Sequence, residues 1–189
     1  MWTEVAAVGR AEERPAAGAR VAVGIGSNLG DREECLRFAA RELERRLERL
    51  RASSVYRSPP REGARGGGYL NMCVAGVWRG DGPTGRGAAR RVLDQLRYVE
   101  LGAGRSLQRS PGEPRCLDLD LLLVDDLRIR EAGLEVPHPR MTERGFVLRP
   151  LSELVPEWRH PVVGETVAEL ARRHTHPGLE PYRASNEIT

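Results

Sequence analysis

The run Cys116-Leu117-Asp118-Leu119-Asp120-Leu121-Leu122-Leu123-Val124 constrains the fold more than any other stretch, because it sets two carboxylates at i and i+2 inside an otherwise apolar segment. Side chains of a strand alternate between faces. Asp118 and Asp120 therefore emerge on one face, roughly 6.7 Å apart along the backbone, and Leu117, Leu119 and Leu121 cover the other. Like charges this close raise each other's pKa unless a cation sits between them. A divalent metal meets that need, and a pair of magnesium ions about 4 Å apart, as in two-metal phosphoryl transfer, could be held by such carboxylates. The same pattern also suits the solvated edge of an amphipathic strand, and the choice depends on context.

With 189 residues and 40% hydrophobic content, the chain suits one globular domain that buries a real core. The expected division is a loosely ordered extension over residues 1–19, a folded domain over 20–174 and a tail over 175–189. No apolar run reaches the length of a membrane span, and the N-terminal residues lack the apolar stretch of a signal peptide. A cytoplasmic protein with no membrane partner is expected. Cys35, Cys73 and Cys116 are odd in number and widely spaced, which argues against a disulfide or a zinc site and for three buried thiols.

All 30 basic residues are arginine. Without lysine there is no Walker A lysine and no Schiff base, so phosphate must be held by arginine, backbone N–H groups or metal. The net charge of +3 arises from arginines interleaved with 27 acidic residues, a mixed surface rather than a nucleic-acid stripe.

Residues 21–25 read as a buried strand, with Gly24-Ile25-Gly26-Ser27-Asn28-Leu29-Gly30 as its exit turn. Asp31 and Glu34 form a capping pair, and Leu36, Ala39, Ala40, Leu43, Leu47 and Leu50 recur at helical spacing, predicting one long helix. Strands are expected over 52–58 and 69–79, separated by a glycine-rich loop. A helix opening near Thr84 then presents Ala88, Val92, Leu93, Leu96 and Val99, and Gly102 and Gly104 stop it. Strand, helix, strand, strand, helix, strand is the split βαβ plan of an α+β, ferredoxin-like domain, with helices on one face of an antiparallel sheet. Gly24-x-Gly26 followed by Gly30 has the wrong spacing for a dinucleotide fingerprint.

Several ordered segments together resemble the 6-hydroxymethyl-7,8-dihydropterin pyrophosphokinase family. They are Gly26-Ser27-Asn28-Leu29, Ser54-Val55-Tyr56-Arg57-Ser58-Pro59-Pro60, Tyr69-Leu70-Asn71, Glu100-Leu101, Gly104-Arg105, Pro114-Arg115, Leu117-Asp118-Leu119-Asp120, Val136-Pro137-His138-Pro139 and Arg144-Gly145-Phe146. The resemblance implies transfer of pyrophosphate from ATP to a pterin hydroxymethyl group in folate biosynthesis. It further implies two magnesium ions on Asp118 and Asp120, a ferredoxin-like core with C-terminal additions, and a monomer. By the same resemblance Arg105 and Arg115 act on the phosphates, and Glu100, Arg115, His138 and Arg144 bind ATP. The pterin falls to Ser58, Pro59, Tyr69, Asn71 and Phe146: two aromatic walls, plus an amide whose N–H and C=O suit the pterin edge.

The chain departs from the family between Gly104 and Arg115. Gly112 stands where the family has tryptophan, Leu107 where a phosphate arginine is frequent, and Glu113 brings negative charge toward a polyanion. A less complete loop closure is expected there. Two other readings follow from these features: a catalytically weak paralogue that binds pterin or nucleotide, and an arginine-rich ferredoxin-like RNA binder. The latter lacks aromatic RNP strands, so no nucleic-acid partner is expected.

Overall fold

The computed structural model describes residues 18–60, 67–79, 85–104, 115–174 and 177–183. Arg105, the altered 106–114 loop, Thr84 and Arg65-Gly66 lie outside the described residues. Strand β1 (Arg20–Ser27) leads into α1 (Arg32–Glu44), then β2 (Leu47–Ala52), β3 (Tyr56–Ser58) and β4 (Tyr69–Trp78). Helix α2 (Arg86–Gly102) precedes β5 (Asp118–Val124) and the hairpin β6 (Ile129–Glu131) and β7 (Leu134–Val136). Helices α3 (Gly145–Leu154) and α4 (Val167–Arg173) and the short β8 (Glu180–Pro181) follow.

The sheet runs β5-β1-β4-β3-β8, with β2 also paired to β4. β1 lies antiparallel between β4 and β5, the arrangement expected of a split βαβ core. Val21, Val23, Ile25, Leu70, Met72, Val74, Leu119 and Leu121 turn toward α1 and α2 and form the larger core with Leu36, Leu43, Val92, Leu96 and Val99. The opposite face is not left open, as the expectation of helices on one face would have it. Ala22, Cys73, Ala75 and Leu122 pack there against Val147, Leu148 and Leu151 of α3 and Val167 and Leu170 of α4. These C-terminal helices do not enclose Gly26, Asp118 and Asp120, which stay partly exposed.

Three local expectations are corrected. The first helix stops at Glu44, and Leu47 and Leu50 belong to β2, where Leu47 pairs with Trp78 and Arg51 with Ala75; their helical spacing is overridden by sheet pairing. Gly24 and Gly26 lie inside β1 rather than in its exit turn. Cys35 and Cys116 are joined by a disulfide, with Cα atoms 6.0 Å apart, and only Cys73 is a free buried thiol. The bond joins positions 81 residues apart in sequence, which spacing alone could not reveal.

The α1 N-terminus follows its sequence signal, with the Asp31 carboxylate accepting the Glu34 N–H at 3.0 Å. At the other end of the chain, β8 pairs with β3, the Tyr182 N–H donates to the Val55 carbonyl, and the Tyr182 hydroxyl donates to Glu33 of α1. Among the described residues no helix is long and apolar enough to cross a membrane.

Candidate active site

Strand register brings Asn71, Asp118 and Asp120 onto one face. Gly26 of β1 lies opposite Asn71 of β4 on one side and Asp118 of β5 on the other. Two residues back, Gly24 lies opposite Cys73 and Asp120. Directly opposed residues share a face, so Asn71, Asp118 and Asp120 surround a strip of the central strand that carries no side chain. A Cβ on Gly26 would come 3.7 Å from Asn71 Oδ1 and 3.9 Å from Asp118 Cβ, and one on Gly24 would come 3.8 Å from Asp120 Cβ. The glycines are not needed for packing. They leave room.

Both carboxylates are partly exposed and paired with arginine. Arg115 Nη2 lies 2.9 Å from Asp118 Oδ2, and Arg144 Nη1 donates to Asp120 Oδ2 at 2.7 Å. Arg144 comes from the turn before α3, after a single 3-10 turn (Met141–Glu143), and its guanidinium also lies over the Phe146 ring, 5.6 Å from the centroid. His138 follows β7. Its Nδ1 accepts the Arg140 N–H at 3.1 Å, which leaves Nε2 facing Asp120 Oδ1 at 3.6 Å. Burial, reinforced by Arg144 and Arg140 and opposed by Asp120, holds the imidazole below its ordinary pKa.

Asp118 and Asp120 offer hard oxygen ligands beside free space. Among the described residues no group of three or more His, Cys, Asp and Glu could hold a metal. Two carboxylates completed by substrate phosphates and water are what magnesium commonly takes, so the donor set fits a cation that arrives with a nucleotide.

Backbone ties fix the approach to β5. The Asn28 N–H donates to the Arg115 carbonyl at 3.2 Å, and the Arg115 N–H donates to Asn28 Oδ1 at 2.8 Å. Buried Asn28 Nδ2, Ser27 Oγ and Arg115 Nε have no hydrogen-bond partner among the described residues. Glu100, which the resemblance gives to ATP, is buried on α2, and its Oε1 accepts the Leu119 N–H at 2.9 Å. That N–H lies on the outer edge of β5 between the two aspartates, so Glu100 braces the segment that carries them.

On the other side of the glycine strip, Asn71 Nδ2 donates to Ser58 Oγ at 2.9 Å. Ser58 thus contributes its hydroxyl to holding the Asn71 amide. It pairs with Tyr69 across β3 and β4. The approach is tight: a Cβ on Gly68 would come 2.8 Å from the Ser58 carbonyl, and Arg32 Nη1 donates to the Gly68 carbonyl. Pro59 abuts Gly178, and Phe146 opens α3 beside Arg144.

A cleft of about 200 Å³ adjoins Asp120 and His138 and is lined by Leu93, Arg97, Leu121, Leu134 and Glu135 among others. Its walls come from α2, β5 and the β6–β7 hairpin. Leu93 was legible only as a helix-face residue, and Arg97, Leu134 and Glu135 carried no signal, because the cleft exists only once the hairpin docks against α2.

The solved structures most similar in shape include Plasmodium falciparum HPPK-DHPS A437G with pteroate, with a TM-score of 0.63 at 13% identity over 83% of this chain and 43% of that one. At that identity the likeness shows the fold, and this chain spans under half the length of those structures. Curated relatives are closer in sequence and in length. The 2-amino-4-hydroxy-6-hydroxymethyldihydropteridine pyrophosphokinase of Pseudomonas aeruginosa is 37% identical, with 85% of this chain and 95% of the relative covered. Those of Synechocystis sp. and Aquifex aeolicus are 36% and 32% identical, covering 84% and 87% of this chain and 81% and 96% of the relatives. Residues 22–156, which hold both aspartates, Asn71 and the β6–β7 hairpin, match the model of the 7,8-dihydro-6-hydroxymethylpterin-pyrophosphokinase family, and the chain belongs to that family.

Proposed function

We propose that the protein transfers pyrophosphate from ATP to the hydroxymethyl group of 6-hydroxymethyl-7,8-dihydropterin, releasing AMP, with the acceptor held at Asn71 and the triphosphate at Asp118 and Asp120. The observation that carries this reading is the row Asn71, Gly26, Asp118. Two interstrand spacings separate its ends by roughly 10 Å. An acceptor edge bound at one end can thus present its substituent to a phosphate held at the other, across a strand with no side chain in the way.

The residues divide the work. Asn71 offers its amide to the pterin edge, Ser58 orients that amide, Tyr69 and Phe146 flank the ring, and Pro59 closes the slot. Asp118 and Asp120 would hold two magnesium ions that accompany ATP. Magnesium would supply charge neutralisation at the phosphates. Arg115 and Arg144, which neighbour these carboxylates, would donate to phosphate oxygens, with Arg105 as a third arginine. His138 lies at the mouth of the cleft, its Nε2–H directed toward the phosphate side, and the cleft between α2 and the hairpin takes the nucleotide base and ribose. Glu100 supports this ATP site by bracing β5.

Both halves of the site come from one chain, which supports a monomer, and a catalytic domain over 20–174 contains them. Dependence on ATP supports the cytoplasm. The decisive assay follows AMP formation from ATP with the hydroxymethyl pterin and magnesium. Product that requires all three supports the assignment, and pterin binding without AMP formation would replace it with the weak-paralogue reading.

A further inference from the structure

Cys116 lies between Arg115 and Leu117, two residues before Asp118, and is bonded to Cys35 in the first turn of α1. We propose that this cystine is a redox-modifiable site that sets how firmly Arg115 and Asp118 are held for the reaction. The proposal rests on the pyrophosphokinase reading for what those two residues do.

Position carries the argument. Strand pairing of β5 begins at Asp118, so residues 115 and 116 lie ahead of the sheet's support. Among the described residues, the ties there are the two hydrogen bonds with Asn28, the Arg115–Asp118 ion pair and the bond to Cys35. Cys35 is buried on a helix whose Leu36, Ala39 and Leu43 pack in the larger core, so the sulfur bridge anchors the Arg115 backbone to a core helix. The Cα separation of 6.0 Å lies in the range that a disulfide spans without backbone movement. Cys116 is only half-buried, whereas Cys35 is 7% exposed, so an incoming thiolate meets the Cys116 sulfur first. The third cysteine cannot interfere. Cys73 is fully buried, its thiol donates to the Val147 carbonyl, and burial pushes its pKa far up.

The co-reactant is a dithiol. Its thiolate attacks Cys116 Sγ, the bond between the two sulfurs breaks, and Cys35 leaves as a thiolate that takes a proton. The second thiol of the reductant then attacks the mixed disulfide and releases Cys116. The dithiol becomes a disulfide, and two electrons and two protons pass to the protein. Positioning within a fraction of an ångström governs the worth of a charged group at a reaction centre, so the bridged form is the more active one.

The test uses the whole chain, air-oxidised or reduced with excess dithiothreitol, with thiols counted after denaturation. The oxidised protein should titrate one thiol and the reduced protein three. Magnesium-ATP affinity is read by calorimetry in both forms, and kcat/KM for ATP from AMP formation. Reduction should weaken ATP affinity and lower kcat/KM by roughly three- to tenfold, and Cys35→Ser and Cys116→Ser should each match the reduced protein and ignore redox state. Equal ATP affinity in the two forms, or three thiols in the oxidised protein, would overturn the proposal. Failure of the pyrophosphokinase reading looks different, since AMP would then be absent in both forms while the affinity difference remained.

Discussion

Asn71 and Asp118 are both cross-strand partners of Gly26, so the amide and the carboxylate occupy a single row of the sheet. Their spacing is set by backbone hydrogen bonding rather than by loops. On the proposed function, the distance between acceptor and donor subsites is therefore as rigid as the sheet itself.

The first prediction tests the bare strip. A Cβ at Gly26 would meet no atom closer than 3.7 Å, and valine suits a strand, so Gly26→Val should fold with a melting temperature within a few degrees of the parent. Its kcat/KM should fall by about a hundredfold or more, because the side chain fills ligand space. A folded variant with normal turnover would show that no ligand crosses β1.

Asp118→Asn and Asp120→Asn should each lower kcat by about a thousandfold, equivalent to about 4 kcal/mol of transition-state stabilisation. Circular dichroism melts should change little, since both side chains are partly exposed. Magnesium-dependent turnover near the parental rate in either variant would refute the metal assignment.

Asn71→Ala should weaken pterin binding by about 1–3 kcal/mol, because the ligand's polar edge is left without a partner. ATP binding, two strands away, should hold within a factor of about two. Calorimetric titration of each ligand separates the two, and equal losses would deny Asn71 a ligand-specific role.

His160 gives a pH dependence that is independent of the site. Its Nδ1 accepts the N–H groups of Val162 and Val163, and burial, aided by Arg128, holds its pKa below the ordinary value. The fold thus favours neutral imidazole. Its contribution is fully present above the unfolded pKa near 6.5 and is lost as pH falls through the lower folded value. His160→Asn keeps an acceptor that does not titrate, so the difference in stability between parent and variant should shrink or reverse in the variant's favour between pH 7.5 and 5. A constant difference across that range would rule the linkage out.

The sequence made β1, β4, β5 and α2 legible because each repeats its apolar residues at the period of the element it forms. It misled at Leu47 and Leu50, where helical spacing continues past Arg45 although pairing with β4 decides the outcome. Asp118, Asp120 and Asn71 could be assigned to faces from alternation alone. The bracing by Glu100, the cleft walls and the Cys35–Cys116 bridge could not, since each depends on elements far apart in sequence meeting in space.

The pairing of β8 with β3 bears on how the chain matures on the ribosome. Until residues 180–182 are synthesised, β3, which carries Ser58, is a bare edge with unpaired N–H and C=O groups, and Glu33 lacks its Tyr182 partner. Such edges invite intermolecular strand addition. The sheet edge that carries Ser58 is thus finished last, by the residues that leave the exit tunnel last among those described, and nascent chains halted at residue 174 should self-associate in light scattering where chains carrying residues 177–183 stay dispersed.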